Sequence, residues 1–534
     1  MKLSLSFLSI AVIDVLMPLM TVIFAGSISQ AHLDGVGLAT TLFSVLLSAT
    51  SSGYSSVFDT YGPQVYGSTE RGELGTVLMK CLLQGAFVNL VIIGPYLNFV
   101  YVIDMLPASV TDSDENTEGF RDIAVQYLRL TVTVEFLSYT VLMVSKYIAI
   151  QGHSRFVYLV SLVMIGSYIL VNYLLVSTLK QGVNGLASAA IIGRIIPLLV
   201  ALIICIAKIR TKEFIWTGID FKVLLGWKPM IKLGLSGSMH RFAELALYEI
   251  ATFCSQFDGT TSFSVIIIII QLLNFCWALT EGIARAGATL IGSALGDGNA
   301  ENVKLYMIMT MVNTLLECIP LAMTCFFLRT HLVEIFNPSE DVVDLFVDTF
   351  WIACISLVGY HIQNGLSQGV LVAFGEQKFI ARSTSIACYA VGLPVVIVTI
   401  FFMDLKVVGI VAGFMVSDVI IIIAALFKIS RIDISKEIEK TRLRVATNSL
   451  QDSDGSVKKG INNPAYHAED ENLEIHTVDC LVNDDQETAH DKSPGKTFES
   501  NIVSSNPEIR SVLIAFLIAA TVSVILMGVS LFRH

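Results

Sequence analysis

Between residues 4 and 428 the chain is a succession of long apolar stretches separated by short polar turns. A bilayer-spanning helix needs about 20 mostly apolar residues. In hydrocarbon, only helices and closed barrels satisfy their own backbone hydrogen bonds. Runs of that length predict helices near 4–28, 36–58, 75–103, 123–147, 156–178, 184–207, 230–256, 262–294, 304–328, 343–372, 380–403 and 408–428. A polar gap follows, then a thirteenth stretch at 511–532. Only 15% of residues are charged, against about 25% in soluble domains, so a soluble core is excluded. Lys2 is the only base flanking the first run, and no A-x-A-like cleavage site follows. The first run therefore reads as a retained helix rather than a leader.

Orientation follows from the bases. Lys208, Arg210, Lys212, Lys222 and Lys228 crowd one inter-helix loop, and Arg155, Lys378, Arg382 and Lys428 fall on the same side. The opposite side carries Asp112, Asp114, Glu115, Glu118, Glu340 and Asp341. The positive-inside rule then puts the N-terminus and the polar tail in the cytoplasm and the extreme C-terminus outside. Most of the net charge of -11 sits in the tail. A segment so rich in Ser, Asn, Asp and Glu cannot bury enough apolar surface to order itself. The nine cysteines show no paired or metal-ligand spacing and read as small packing residues.

The two halves resemble each other. QGHSRFVYLVSLVMIGSYILVNYLL, from Gln151, aligns without a gap to FGEQKFIARSTSIACYAVGLPVVIV, from Phe374. Each is followed by a glycine-bearing turn into another helix, VNGLASA at 183–189 and VVGIVAG at 407–413. QVYGSTERGELG, after the second helix, echoes SALGDGNAENVK, after the eighth. Such repeats are the signature of transporters that rock about a central site. The expected fold is an all-α polytopic membrane protein with two six-helix repeats around a central cavity, plus a thirteenth helix. The division is residues 1–208 as N-lobe, 209–229 as cytoplasmic linker and 230–430 as C-lobe. Residues 431–510 form an acidic disordered tail, and 511–534 a last helix with an extracellular C-terminus.

The stretches GYSSVFDTYGPQVYGS (53–68), LIGSALGDGNAENVK (290–304), GVLVAFGEQK (369–378), YAVGLP (389–394) and FAELALYEI (242–250) resemble signatures of the multidrug and toxin extrusion (MATE) family. The likeness covers about residues 5–430, and the thirteenth helix is an animal-type feature. The resemblance implies an antiporter that expels small organic cations in exchange for protons, or for sodium in some prokaryotic branches. It implies acidic positions at Glu244 and Glu249, with Tyr248 beside the second. Gln271 and His361 stand where animal members carry further acids, and Leu290 replaces an arginine. Thr21, rather than Asp14, occupies the acidic position of the prokaryotic first helix.

The residues themselves support an exchange site. A carboxylate sheltered from water holds either a proton or a cation, and each ligand weakens the other. Glu244 and Glu249 are five residues apart, about 140° around a helix, so they face differently. Arg241 lies one turn before Glu244 and offers a structural ion pair. Glu249 has no base within a turn, so the exchange role is expected there and a milder one at Glu244. Tyr248 shares the face of Glu244. His361 could accept a proton, since histidine titrates near about 6.5, or simply be hydrogen-bonded. Gln271 is a candidate for orienting substrate, and Asp14 for a second proton site. Glu281 and Arg285, four apart, read as a helix salt bridge. Glu135, Glu317, Asp418 and Arg194 are single intramembrane charges that the sequence does not rank.

No metal-ligand cluster, nucleophile elbow or phosphate loop is present, so neither an enzyme nor an ATP-driven pump is expected. The expected partners are organic cations, protons and the bilayer, without nucleic acid. The protein is expected to work as a monomer in the plasma membrane, with no cofactor beyond an ion gradient. Two rivals stand beside this reading. One is a lipid-linked flippase of the same broader fold, which needs several bases in its cavity. The other is a non-transporting receptor or scaffold.

Overall fold

The computed structural model describes residues 2–450, except 44–46, 99–119, 217, 219–220, 337–338 and 404. The acidic loop around Asp112, the tail beyond 450 and the thirteenth stretch lie outside the described residues. The first half opens with α1 (Lys2–Gly26). The second span is built from α2 (Gln30–Phe43), α3 (Ala49–Tyr54) and α4 (Ser56–Gly67). Next come α5 (Leu74–Asn98), α6 (Phe120–Ile150), α7 (Ser154–Asn172) and α8 (Gly182–Arg210). The second half holds α9 (Trp227–Ser255), α10 (Thr260–Asp297), α11 (Ala300–Phe327), the short α12 (Arg329–Glu334) and α13 (Glu340–Asn364). It closes with α14 (Val372–Phe374), α15 (Gln377–Ser385), α16 (Leu393–Phe401) and α17 (Lys406–Ser430). Ten of these spans are long and apolar enough to cross a membrane. The second is interrupted, and the seventh, α9, carries His240, Arg241, Glu244 and Glu249 along its length. Twelve spans in two lobes result.

Both repeats make the same turns. Gly152 and Gly375, paired in the aligned stretches, each adopt φ +81°, the left-handed conformation glycine takes without cost. Gly182 (φ +57°) and Lys406 (φ +48°) likewise precede the aligned turns VNGLASA and VVGIVAG. The fifth and eleventh spans each contain a π-helical segment, Tyr173–Thr178 and Ile386–Gly392.

The lobes meet at the end of the bundle that carries the α4–α5, α10–α11 and α14–α15 turns. A side chain at Gly67 would collide with the Ser293 carbonyl, and one at Gly296 with the Gln64 carbonyl. Gln64 pairs with Ser293, and Gly67 with Gly296, in the repeat alignment, so the crossing of α4 and α10 is two-fold symmetric. Small residues let membrane helices approach this closely. Gly53 of α3 and Gly237 of α9 make a second backbone contact between lobes. Side chains then bridge the seam. Thr60 Oγ1 donates to the Val372 carbonyl (2.6 Å), Gln64 Nε2 to Ala373 (2.8 Å), Gln377 Nε2 to Thr60 Oγ1 (2.8 Å) and Ser238 Oγ to Thr50 (2.7 Å).

One expectation is corrected. The segment from 431 was assigned to a disordered tail, yet α18 (Ile434–Leu450) is helical. Ile438, Thr441 and Val445 recur at helical spacing and are buried, a stripe masked in the sequence by the charges around it. This helix packs against α4, α10 and α11. Its Arg444 donates to Gln64 Oε1 (2.9 Å) in one lobe and to the Phe374 carbonyl (3.4 Å) in the other. In the linker after α8, Glu213 accepts from Lys208 (2.7 Å) and Thr211 (3.0 Å), which holds its carboxyl below the usual range.

Candidate functional site

The polar face of α9 is set by helical spacing: His240, Arg241 and Glu244 lie within one turn and point inward. Glu244 is buried. Its Oε2 accepts from Arg241 Nη1 (3.2 Å) and its Oε1 from Gln363 Nε2 (3.1 Å), while His240 Nε2 lies 3.7 Å away. The Arg241 guanidinium stacks over Trp277, 4.2 Å from the ring centroid, and donates to the Tyr360 hydroxyl (3.3 Å). A second pair, Arg285 Nε to Glu281 Oε1 (2.7 Å), follows the i,i+4 spacing on α10, and Asn364 Nδ2 donates to Glu281 Oε2 (3.2 Å). A third lies within the N-lobe, with Lys146 Nζ of α6 2.7 Å from Asp59 Oδ2 of α4 and donating also to Ser55 Oγ (2.9 Å).

These pairs surround two cavities. The larger, about 460 Å³ with part of it open, lies in the seam between the lobes and is lined by Asp59, His240, Arg241, Trp277, Glu281 and Arg285. Two donors on its wall, Arg285 Nη1 and Trp277 Nε1, have no acceptor. The smaller, about 250 Å³, lies inside the C-lobe between α9 and α17, with Glu244, Tyr248, Phe414, Ser417 and Asp418 on its wall. The Tyr248 ring stands edge-on to Phe414 (4.7 Å between centroids).

The sequence and the fold are matched by known proteins. The MatE family pattern matches residues 8–174 and 239–398, one block in each half. The chain belongs to the MatE family. Among its relatives, multidrug and toxin extrusion protein 1 of Homo sapiens is 25% identical over 406 residues, covering 74% of this chain and 68% of that protein. The protein of the same name from Oryctolagus cuniculus is 26% identical over 427 residues, covering 79% and 72%. The crystal structure of the eukaryotic MATE transporter AtDTX14 superposes with a TM-score of 0.77 at 18% identity, over 83% of this chain and 97% of that one.

Within this MatE chain the expected site residues separate. Glu244 and Tyr248 share the C-lobe cavity. Glu249 does not join them. It is exposed, on the same face as Phe242, Ile250 and Phe253, and lines neither cavity. The reason is angular: with Glu244 turned inward, a residue five places on must turn out. Gln271 is exposed beside Ile267 and Phe275, one turn to either side, and Asp14 is exposed on α1. His361 is fully buried, with Nδ1 3.1 Å from Glu317 Oε2 and in contact with Thr280 Oγ1. Its Nε2 has no partner.

The sequence leaves two features unmarked and a third unranked. Lys146 and Asp59 went unmarked, although a lysine in LMVSKYIAI is a clear signal in an apolar run. Gln363, which donates to Glu244, carries no signal of its own in GYHIQNG. Asp418 was noticed but could not be ranked, because its cavity is made by helices distant in sequence.

Proposed function

We propose that the protein is a secondary active antiporter that exports organic cations in exchange for protons by rocking its two lobes. The observation that carries this reading is Glu244, a buried carboxylate on the wall of the C-lobe cavity whose partner Arg241 borders the seam between lobes. An organic cation in the seam meets Trp277, whose ring attracts positive charge and already carries the Arg241 guanidinium, and competes with Arg241 for Glu244. The lysine- and arginine-rich side is assigned to the cytoplasm, so the glycine crossing closes the site from the cytoplasm. The protein is assigned to the plasma membrane as a monomer, with N-terminus inside and no cofactor other than the ion gradient.

The test is uptake of labelled tetraethylammonium by proteoliposomes with an acidic lumen. Accumulation that collapses when the pH gradient is dissipated supports the reading, and no accumulation refutes it.

One observation favours a second reading. The unpaired Arg285 Nη1 and Trp277 Nε1, with Arg241 nearby, offer donors to an anionic group such as a lipid-linked pyrophosphate. Competition of such a lipid with tetraethylammonium distinguishes the two. A receptor or scaffold neither accumulates the cation nor responds to the lipid.

A further inference from the structure

Of the buried carboxylates around the two cavities, Asp418 is the one without a counter-charge. Glu244 has Arg241, Glu281 has Arg285 and Asp59 has Lys146. Asp418 is 6% exposed and, among the described residues, makes no hydrogen bond or ion pair. The groups that face it are Glu244 and Tyr248 from α9, Tyr360 from α13 and Cys388 from the π-helical turn of span eleven. No lysine, arginine or histidine lines its cavity. The neighbouring Ser417 hydroxyl is turned away to the Ala387 and Gly413 carbonyls (3.2 and 3.0 Å). An ionised carboxylate so placed, with no partner, carries a large desolvation cost. It is relieved only by a proton or a cation.

The repeat sharpens the point. Counting from the aligned turns at Val183 and Val407, Asp418 of α17 stands at the position Arg194 occupies in α8. Arg194 spends its donors inside its own lobe, on Ser138 Oγ (2.5 Å) and the Ala190 carbonyl (2.9 Å). One lobe thus has a satisfied cation where the other has an unsatisfied anion.

The room left in the cavity decides the occupant. Between the packed side chains there is space for about one water-sized ligand, so a proton or a small monovalent cation fits and an organic cation does not. Sodium needs several converging oxygens, and here Leu247, Cys388, Phe414 and Ile421 make up much of the wall. A proton needs one.

We infer that Asp418 is the site of the exchanged proton, coupled through the shared cavity to Glu244, where the organic cation competes. This rests on the antiport reading and adds the residue that carries the coupling ion. The proton resides on the Asp418 carboxyl in the empty transporter. When an organic cation displaces Arg241 from Glu244 while the guanidinium stays in the seam, one more positive charge stands beside the cavity and the Asp418 proton leaves to solvent. No bond other than O–H breaks.

The full chain, purified in detergent and weakly buffered, is titrated with tetraethylammonium while released protons are counted. Wild type should release protons on binding, Asp418→Asn should release about one fewer per chain, and Asp418→Glu should restore it. Infrared difference spectra of wild type and Asp418→Glu supply the second readout. The protonated-carboxyl band should vanish on binding and shift in frequency with the longer side chain. Undiminished proton release from Asp418→Asn, or a band indifferent to Asp418→Glu, overturns the inference while leaving antiport intact. Displacement of tetraethylammonium by sodium at constant pH, lost in Asp418→Asn, overturns the proton assignment. Wild type that binds no tetraethylammonium overturns the antiport reading itself and this inference with it.

Discussion

Gly67 and Gly296, equivalent residues of the two repeats, each rest on the backbone of the other's helix, Gly67 against Ser293 and Gly296 against Gln64. The contact is backbone on backbone, so no rotamer change can make room for a side chain. Gly67→Ala should therefore open this end of the bundle and favour the opposite lobe arrangement. Spin labels at Thr69 and Asp297, both exposed on the flanking turns, should move apart in the variant. An unchanged distance would show that the crossing does not hold the lobes together.

The Lys146–Asp59 pair should be the most sensitive of the three to loss of one partner, since the lysine is fully buried. Lys146→Met strands a buried carboxylate and should destabilise the fold by about 3–5 kcal/mol. The double variant with Asp59→Asn should recover much of that loss. A thermal melt series of the four proteins reads the coupling, and additive losses would contradict it.

Arg444 ties Gln64 of one lobe to the Phe374 carbonyl of the other. Arg444→Ala should weaken closure without unfolding the chain, because α18 keeps its buried stripe of Ile438, Thr441 and Val445. The spin-label distance above should broaden rather than shift fully. Arg444→Lys should only partly restore it, since a lysine cannot span two acceptors with a planar fork.

The spans and the two-fold repeat were legible because hydropathy and turn chemistry are local. Gly152 and Gly375 reveal their equivalence in the alignment and adopt the same φ, +81°. The helix α18 was not legible, because Glu437, Lys440, Arg442 and Arg444 outweigh a stripe of three buried residues in any composition window. The site was legible in part. The spacing of Glu244 and Glu249 predicts that they diverge, but a helix read alone does not say which of two faces turns inward. The absence of a nearby base made Glu249 the favoured residue. The fold favours the opposite ranking, since Glu244 holds an ion pair beside the seam whereas Glu249 is exposed and lines neither cavity. Asp418 and Glu244 meet only through the packing of α17 on α9, which no local pattern encodes.

That reversal sets the most direct measurement. Proteoliposomes with an acidic lumen are loaded by wild type, Glu244→Gln and Glu249→Gln at matched protein density, and tetraethylammonium uptake is followed. Loss of the buried carboxylate should cut gradient-driven uptake by roughly tenfold or more, the scale of one charge-assisted contact, whereas Glu249→Gln should accumulate the cation like wild type. Full uptake by Glu244→Gln together with none by Glu249→Gln would contradict the account.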